Sequence, residues 1–350
     1  MLEQDYIAKV LDLEDVIIRN VENVQNELHI YLELPVREHI CPNCAKRFYE
    51  DNPFLARYHR TTTRLVAAVI TAFRKLQPAK SIATQFNLSS TTALRYFDLV
   101  EYRCLELPQV LSIDEFKGNA GGEKYQCILT DASERKIVDV LPNRFENELI
   151  CHFSSFQKRS DVQFFVTDMN PHFKTVARTC FPQAIIVADR YHIVRQVVWA
   201  MENVRKNEQK HLSEKFRKYF KRSKSILNKP LNKLTDEDKT TLSRMFEIAP
   251  RLACAYRLKN YFMLVMHSDP DDATQLLSKW LLLAEHYKLK EFDACIKTYH
   301  NWAAEILNAI RFPWSNGFTE GCNNKTKVLK RVCFGVRNFS RFRNRILHCA

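Results

Sequence analysis

Two short apolar runs that each end on an aspartate, and a late stretch headed by a glutamate, constrain this chain more than any other feature. Leu111 to Phe116 reads LSIDEF, Phe164 to Asn170 reads FFVTDMN, and Ser315 to Lys327 reads SNGFTEGCNNKTK. The first two patterns predict buried strands ending at Asp114 and Asp168. The third predicts a helix that begins with Glu320 and continues with Asn and Lys. Carboxylates brought together in this way can hold two divalent metal ions, Mg2+ or Mn2+, against a phosphodiester.

The surrounding pattern predicts a mixed α/β fold. Val110 to Phe116, Tyr125 to Asp131 and Lys136 to Leu141 read as strands joined by short turns, which suits antiparallel pairing. A helix over 147–156, a continuous apolar strand over 162–167, a helix over 171–180 and a strand over 184–188 follow. Three strands, a helix, a strand, a helix and a strand are the order of a ribonuclease-H-like core. Asp114 then ends the central strand and Asp168 its neighbour. Spacing alone does not choose Asp114 over Glu115, because a doubly buried strand shows no clean alternation. Asp131, Asp139 and Asp189 occupy similar strand-end positions.

On the last helix Glu320, Asn324, Lys327 and Arg331 share one face at helical spacing. A carboxylate followed by amide and cationic groups suits a metal beside a phosphate backbone. An acid at a helix N-terminus is also favoured by the helix dipole alone.

Composition narrows the partners. The 350 residues include 53 Lys/Arg against 40 Asp/Glu, a formal net charge of +13. A chain so basic is expected to meet a polyanion. Between Asn203 and Lys233 eleven Lys/Arg face two acids, with Phe216, Tyr219 and Phe220 interleaved. Lys215, Arg217, Lys218, Lys221 and Arg222 are its densest part, a candidate phosphate-binding face. Arg311 to Ala350 is again basic. The longest apolar run, Leu65 to Phe73, is far short of the ~20 residues needed to span a bilayer. It reads as a buried helix. The start carries acids (Glu3, Asp5, Asp12, Glu14) and Lys9, unlike a targeting peptide. Eleven cysteines at irregular spacing suit reduced thiols and a cytoplasmic protein without a membrane partner.

Five segments are expected. Residues 1–60 mix short strands with Cys41-Pro42-Asn43-Cys44, half of a tetrahedral zinc site. No second C-x-x-C exists, and His39 and His59 are the nearest further ligands. Residues 61–107 contain a short helix, a polar break at Asn87-Leu88-Ser89 and a Ser/Thr-capped helix, a helix-turn-helix pattern. Ile82, Ala83, Phe86, Leu88, Ala93, Leu94 and Phe97 form its expected core. Thr91, Thr92, Arg95 and Tyr96 are left to face a DNA groove. Residues 108–203 form the first part of the core, 204–311 an all-helical insertion, and 312–350 the last part with the glutamate helix.

These residues resemble the bacterial insertion-sequence transposases of the IS-L-three family, a DDE group. The resemblance rests on Ser112 to Phe116, Val166 to Met169, Asp189-Arg190-Tyr191-His192, and above all Ser315 to Arg331 with Arg337-Asn338-Phe339 and Arg341-Phe342-Arg343. It implies that Asp114, Asp168 and Glu320 are the catalytic carboxylates. It implies that Asp189 and His192, a D-x-x-H signature, position DNA or support the site. The expected activity is metal-dependent cleavage at the ends of the element, followed by attack of the freed 3′-hydroxyl on target DNA. DNA bearing the inverted repeats, target DNA and further copies of the chain are the implied partners. Two other classes fit parts of the pattern. One is a DNA-binding regulator without catalysis. The other is a ribonuclease-H-like nuclease acting on hybrids or junctions. The family begins with a zinc ribbon of two knuckles. Here Leu34 to Cys41 resembles the approach to the first knuckle, whereas Cys41 to Glu50 resembles the second and its exit. The stretch between them is missing. The expectation is therefore less than one equivalent of zinc at Cys41 and Cys44.

Overall fold

A computed structural model describes residues 17–24, 27–33, 38–49 and 61–349. The chain divides into two compact units, residues 1–68 and 69–350.

The first unit contains two antiparallel pairs. Strands β1 (Ile17–Val24) and β2 (Glu27–Glu33) pair with a register shift between Ile18 and Asn20. Strands β3 (Glu38–Ile40) and β4 (Arg47–Tyr49) flank the Cys41–Cys44 turn. That turn closes with Cys41 N donating to Lys46 O and Ala45 N to Cys41 O, both at 2.9 Å. The helix α1 (Thr63–Ala72) carries the apolar run. It is not buried all round as expected: Val69, Ala72 and Phe73 are buried, but Ala67 and Ala68 face solvent.

The second unit begins within α1, at residue 69, and continues with α2 (Ala79–Gln85) and α3 (Ser90–Phe97), joined across Asn87 at φ 50°. A five-stranded sheet follows, in the order β7-β6-β5-β8-β9. Strands β5 (Val110–Phe116), β6 (Gln126–Asp131) and β7 (Lys136–Leu141) form an antiparallel meander. Strands β8 (Phe164–Thr167) and β9 (Ile185–Ala188) extend it in parallel. Parallel neighbours need crossover connections, and helices supply them: α4 (Glu146–Ser154) before β8 and α5 (Pro171–Cys180) before β9.

Two apolar layers enclose the sheet. Leu111, Ile113, Leu129 and Phe165 pack with Leu149, Phe153, Phe173 and Val176 of the crossover helices. Phe116, Ile128 and Val140 pack with the last two helices, α14 (Gly317–Val332) and α15 (Phe339–His348), through Cys322, Leu329, Phe342 and Ile346. Buried on both faces, β5 still alternates. Leu111 and Ile113 belong to one layer; Ser112, Asp114 and Phe116 point to the other. The two helices are separated by Phe334 and Gly335 at φ 53° and 90°, where Gly335 N closes back on Lys330 O at 3.0 Å. That left-handed pair stops α14 and lets α15 return.

The remaining helices form one apolar cluster that also takes in Val166 and Val187. The long helix α6 (Arg190–Lys210) is followed by α7 (Glu214–Arg222), α8 (Lys224–Asn228), α9 (Asp236–Ile248), α10 (Pro250–Met266), α11 (Pro270–Tyr287), α12 (Asp293–Asn301) and α13 (Ala303–Arg311). Pro250 opens α10 at its first turn, where a missing N–H costs nothing. Phe262, Trp280 and Tyr299 stack mutually at 4.9–5.5 Å at the centre of this cluster. A single helix, α6, runs through the expected boundary at 203/204, so the helical segment grows out of the sheet unit without a linker. Among the described residues no helix is long and apolar enough to cross a membrane.

Candidate active site

Register places the two aspartates level. Strands β5 and β8 pair as Val110 with Phe164 and Ser112 with Val166. Two residues further along each strand lie Asp114 and Asp168. Asp114 is not at the end of its strand, as the sequence suggested. β5 runs two residues past it, still paired with β6, while β8 stops one residue before Asp168. Asp114 is 8% exposed. Its Oδ1 accepts from Glu115 N and its Oδ2 from Asn323 Nδ2, each at 2.8 Å. Oδ1 of Asp168 accepts from Asn170 N at 3.1 Å. Burial, and then the charge of Asp168, push the Asp114 carboxyl up to about 7. Burial also raises Asp168. Two carboxylates, Asp114 buried and Asp168 half-buried, that resist ionising together form a place where positive charge is favoured. The neighbouring Glu115 lines the same cleft and is paired with Arg144 at 2.5 Å.

The glutamate is set by a buried polar knot. Asn316, fully buried, immediately precedes α14. Its side-chain oxygen accepts from Ser112 Oγ, and its Nδ2 donates to Ile113 O at 3.2 Å. Thr319 Oγ1 bonds both Ser112 Oγ at 2.9 Å and Thr130 Oγ1 at 2.8 Å. These bonds tie the first turn of α14 to β5 and β6, and Glu320 N closes that turn on Asn316 O at 2.8 Å. A buried polar group left without its partner costs ~1–3 kcal/mol, so the knot resists displacement.

Asp189 caps α6 and joins the same knot. Its Oδ2 accepts from His192 N at 3.3 Å and contacts His192 Nδ1 at 2.9 Å; its Oδ1 accepts from Asn316 N at 2.9 Å. The hydrogen bond to Asp189 holds His192 above the usual imidazole range, with the Asp189, Asp168 and Asp114 charges acting the same way and burial opposing them. Among the described residues, Asp189, His192 and Glu320 form the group of ligand-type side chains whose atoms lie within 4.8 Å of one another. Asp114 and Asp168 line the same cleft without joining that group.

The cleft has a volume of about 400 Å3, and Asp114, Asp168, Glu320, His192, Asn324 and Lys327 are on its wall. Arg331 is not; it lies on the exposed flank of α14. Tyr191, Arg195 and Asn323 line it as well, although the sequence pattern singled out none of them for the site. Asn323 follows Glu320 by three residues, and positions three and four apart share a helix face. That spacing was the signal available for it. The other strand-end acids are otherwise engaged. Asp131 caps the β6–β7 turn, and Asp139 pairs with Arg343 at 2.6 Å.

The expected DNA-contacting residues fall into two sets. Thr91 and Arg95 are exposed on α3. Thr92 is not free for a groove, because its amide and hydroxyl bond Ser89 Oγ at 3.0 and 2.8 Å in the helix cap. Tyr96 is half-buried. Lys215, Arg217, Lys218, Lys221 and Arg222 all lie on exposed α7, with Lys218 bonded to Glu214 at 2.7 Å. Arg205, from the same basic run, is only 4% exposed and clamps Glu202 at 2.8 and 2.7 Å. Part of the last basic cluster is structural too. Arg345 donates to Lys75 O and Gln77 O at 2.9 and 2.8 Å, and Arg341 to Asp98 at 2.7 Å, which seats the α2–α3 pair on α15. In the first unit Cys41 is half-buried and Cys44 exposed. Hydrogen bonds from the Asn43 amide and from Cys44 lower the Cys41 thiol. No third ligand joins them among the described side chains; the side chain of His39 and the whole of His59 lie outside these.

Residues 111–346 match a family model described as a transposase, which defines the class of the protein. Residues 50–100 match the helix-turn-helix domain of transposase family ISL3. The chain belongs to this ISL3 family of DDE transposases. It is 24% identical to the transposase of insertion sequence IS1001 from Bordetella parapertussis, over 97% of this chain and 86% of that protein. It is 21% identical to the transposase of IS1557 from Mycobacterium tuberculosis, over 61% of this chain and 54% of that one. A shorter similarity, 29% over 39% of each chain, is to an ATP-dependent protease of Lactococcus lactis.

Proposed function

We propose that the chain binds the ends of its own insertion sequence, cleaves there, and joins the freed end to target DNA, with Asp114, Asp168 and Glu320 as the metal-holding carboxylates of a ribonuclease-H-like core. The observation that carries the reading is the convergence of these three side chains on one cleft, two of them with raised proton affinity. The donor set is oxygen-rich, as Mg2+ or Mn2+ prefers. The buried Asn323 Oδ1, on the residue that bonds Asp114, has no partner, a further oxygen at the same place. Such ions, when bound, would stabilise charge on the attacking and leaving oxygens of an in-line displacement.

The protein's own groups have distinct tasks in this reading. Asn323 holds Asp114 in one rotamer. Asp189 and Asn316 fix the helix that presents Glu320. Lys327 and Asn324 meet the phosphate backbone, and exposed Thr91 and Arg95 read the terminal repeats. The basic face of α7 adds affinity without sequence preference. Residues 61–107 serve as the DNA-reading region, 108–203 and 312–350 as the catalytic core, and 204–311 as its helical insertion. A homo-oligomer on paired ends, acting in the cytoplasm, completes the proposal.

The test is strand cleavage of DNA carrying the element's inverted repeats, in Mg2+ or Mn2+, followed by joining to a second DNA. Asp114→Asn, Asp168→Asn and Glu320→Gln should each abolish cleavage and leave binding largely intact. Near-normal cleavage by any one of them removes that residue from the set. Binding without cleavage by the unaltered chain would favour a non-catalytic occupant of the repeats.

A further inference from the structure

Helix α6 leaves the cleft along a stripe that neither the core nor the carboxylates explain. Tyr191, Arg195 and Trp199 follow one another at four-residue spacing, so they share one face of the helix. Tyr191 and Arg195 line the cleft that holds Asp114, Asp168 and Glu320. The Arg195 guanidinium lies 3.9 Å from the centre of the Trp199 ring and 5.7 Å from that of Tyr191. The other side of the helix is anchored by Ile193, Val197, Ala200 and Val204. Yet Tyr191 and Trp199 are each 54% exposed. Arg195 has no carboxylate partner among the described residues, in contrast to Arg205 one helical stretch later.

We propose that Tyr191, Arg195 and Trp199 form a stacking clamp for the DNA strand whose phosphate occupies the cleft, each exposed ring taking the face of one unpaired nucleobase on either side of Arg195. This rests on the proposed DNA-cleaving function and adds to it a contact that the carboxylates cannot make. Two large rings held open to solvent, Tyr191 on the wall of the cleft and Trp199 two turns beyond it, suit the flat face of a base, which every nucleotide presents. The guanidinium stacked on the indole fixes its ring, and, lacking a protein anion, is free to meet the flanking phosphate. A fully paired duplex hides its base faces, so the clamp favours single-stranded or frayed DNA.

Binding by the full chain separates the possibilities, using fluorescently labelled oligothymidylate and a blunt duplex of equal length. Trp199→Ala should lower affinity for oligothymidylate by about 10-fold or more and leave the blunt duplex nearly unchanged. Trp199→Phe, which keeps a ring, should recover most of the loss. Arg195→Ala should weaken both DNAs, the single strand more. Circular dichroism should show all variants folded, as expected for an exposed side chain. Equal losses on both DNAs, or no loss with Trp199→Ala, overturns the clamp. So does a concentration-dependent dimer that Trp199→Ala dissolves while single-strand binding persists, which would make the stripe a subunit contact. If cleavage by the unaltered chain proceeds normally, these outcomes leave the proposed function standing. A chain that neither binds nor cuts DNA overturns both.

Discussion

The backbone amide of Asn316 donates to Oδ1 of Asp189 at 2.9 Å, joining residues 127 positions apart. Asp189 thus caps α6 with one oxygen and, with the other, holds the residue that precedes α14. The glutamate helix and the D-x-x-H helix are therefore positioned by one carboxylate. This gives the D-x-x-H signature a physical role that does not require contact with DNA.

Asp189→Ala should leave two buried donors unpaired, the amides of Asn316 and His192. We expect a loss of about 2–4 kcal/mol in stability and a large loss of cleavage. Asp189→Asn keeps the shape and an acceptor for Asn316, so it should retain more stability than the alanine variant. Equilibrium urea unfolding of the three proteins checks this. Equal stability of Asp189→Ala and the unaltered chain would remove the coupling role.

The raised Asp114 carboxyl implies a pH dependence in metal-free protein. Its folded pKa of about 7 lies above the ordinary aspartate value of 3.8. The stability linked to this group is then full below about 4 and is lost as pH rises from about 4 to about 7. Asp114→Asn removes that loss but also one of two hydrogen bonds to the carboxylate. We expect it to stabilise the metal-free chain by about 1–2 kcal/mol at pH 8 and to have little effect at pH 4. Mn2+ should raise the melting temperature of the unaltered chain at pH 8 more than that of Asp114→Asn. Thermal denaturation at the two pH values, with and without the cation, measures both effects.

The basic run divides into a surface set and a buried residue. Neutralising Lys215, Arg217, Lys221 and Arg222 should weaken all DNA sequences about equally and flatten the dependence of binding on salt. Arg205→Ala should act differently, because it leaves the buried Glu202 with only the longer contact to Lys224, at 3.7 Å; a cost of about 3 kcal/mol in stability is expected. Loss of sequence discrimination in the surface variant, with general affinity retained, would count against the phosphate role.

Zinc content tests the N-terminal segment that carries Cys41 and Cys44. Cys41 and Cys44 lie in a closed turn with no third ligand among the described side chains, which do not include those of His39 and His59. Two thiolates do not complete a tetrahedral site. Elemental analysis of purified protein should find less than one equivalent. Stoichiometric zinc that resists mild chelation would show that ligands outside the described residues complete the site.

Much of this protein is determined locally and was legible in its sequence. Apolar runs bounded by turns specified all five strands of the central sheet. Helical spacing put Glu320, Asn324 and Lys327 on one face, and Ser89 marked the start of α3. These are short-range preferences, so a one-dimensional pattern carries them. What required the tertiary structure is which polar residue meets which. Asp139 and Asp114 look alike along the chain, but one meets Arg343 and the other Asn323. Arg205 and Lys215 belong to one basic run, but only the first turns into the helical core. Asn316, Thr319 and Ser112 became a single knot because α14 crosses β5 and β6 at that height, two hundred residues after β5 in the chain. Burial and pairing depend on the packing of distant elements, and pairwise contacts of that kind leave no periodicity in sequence to read.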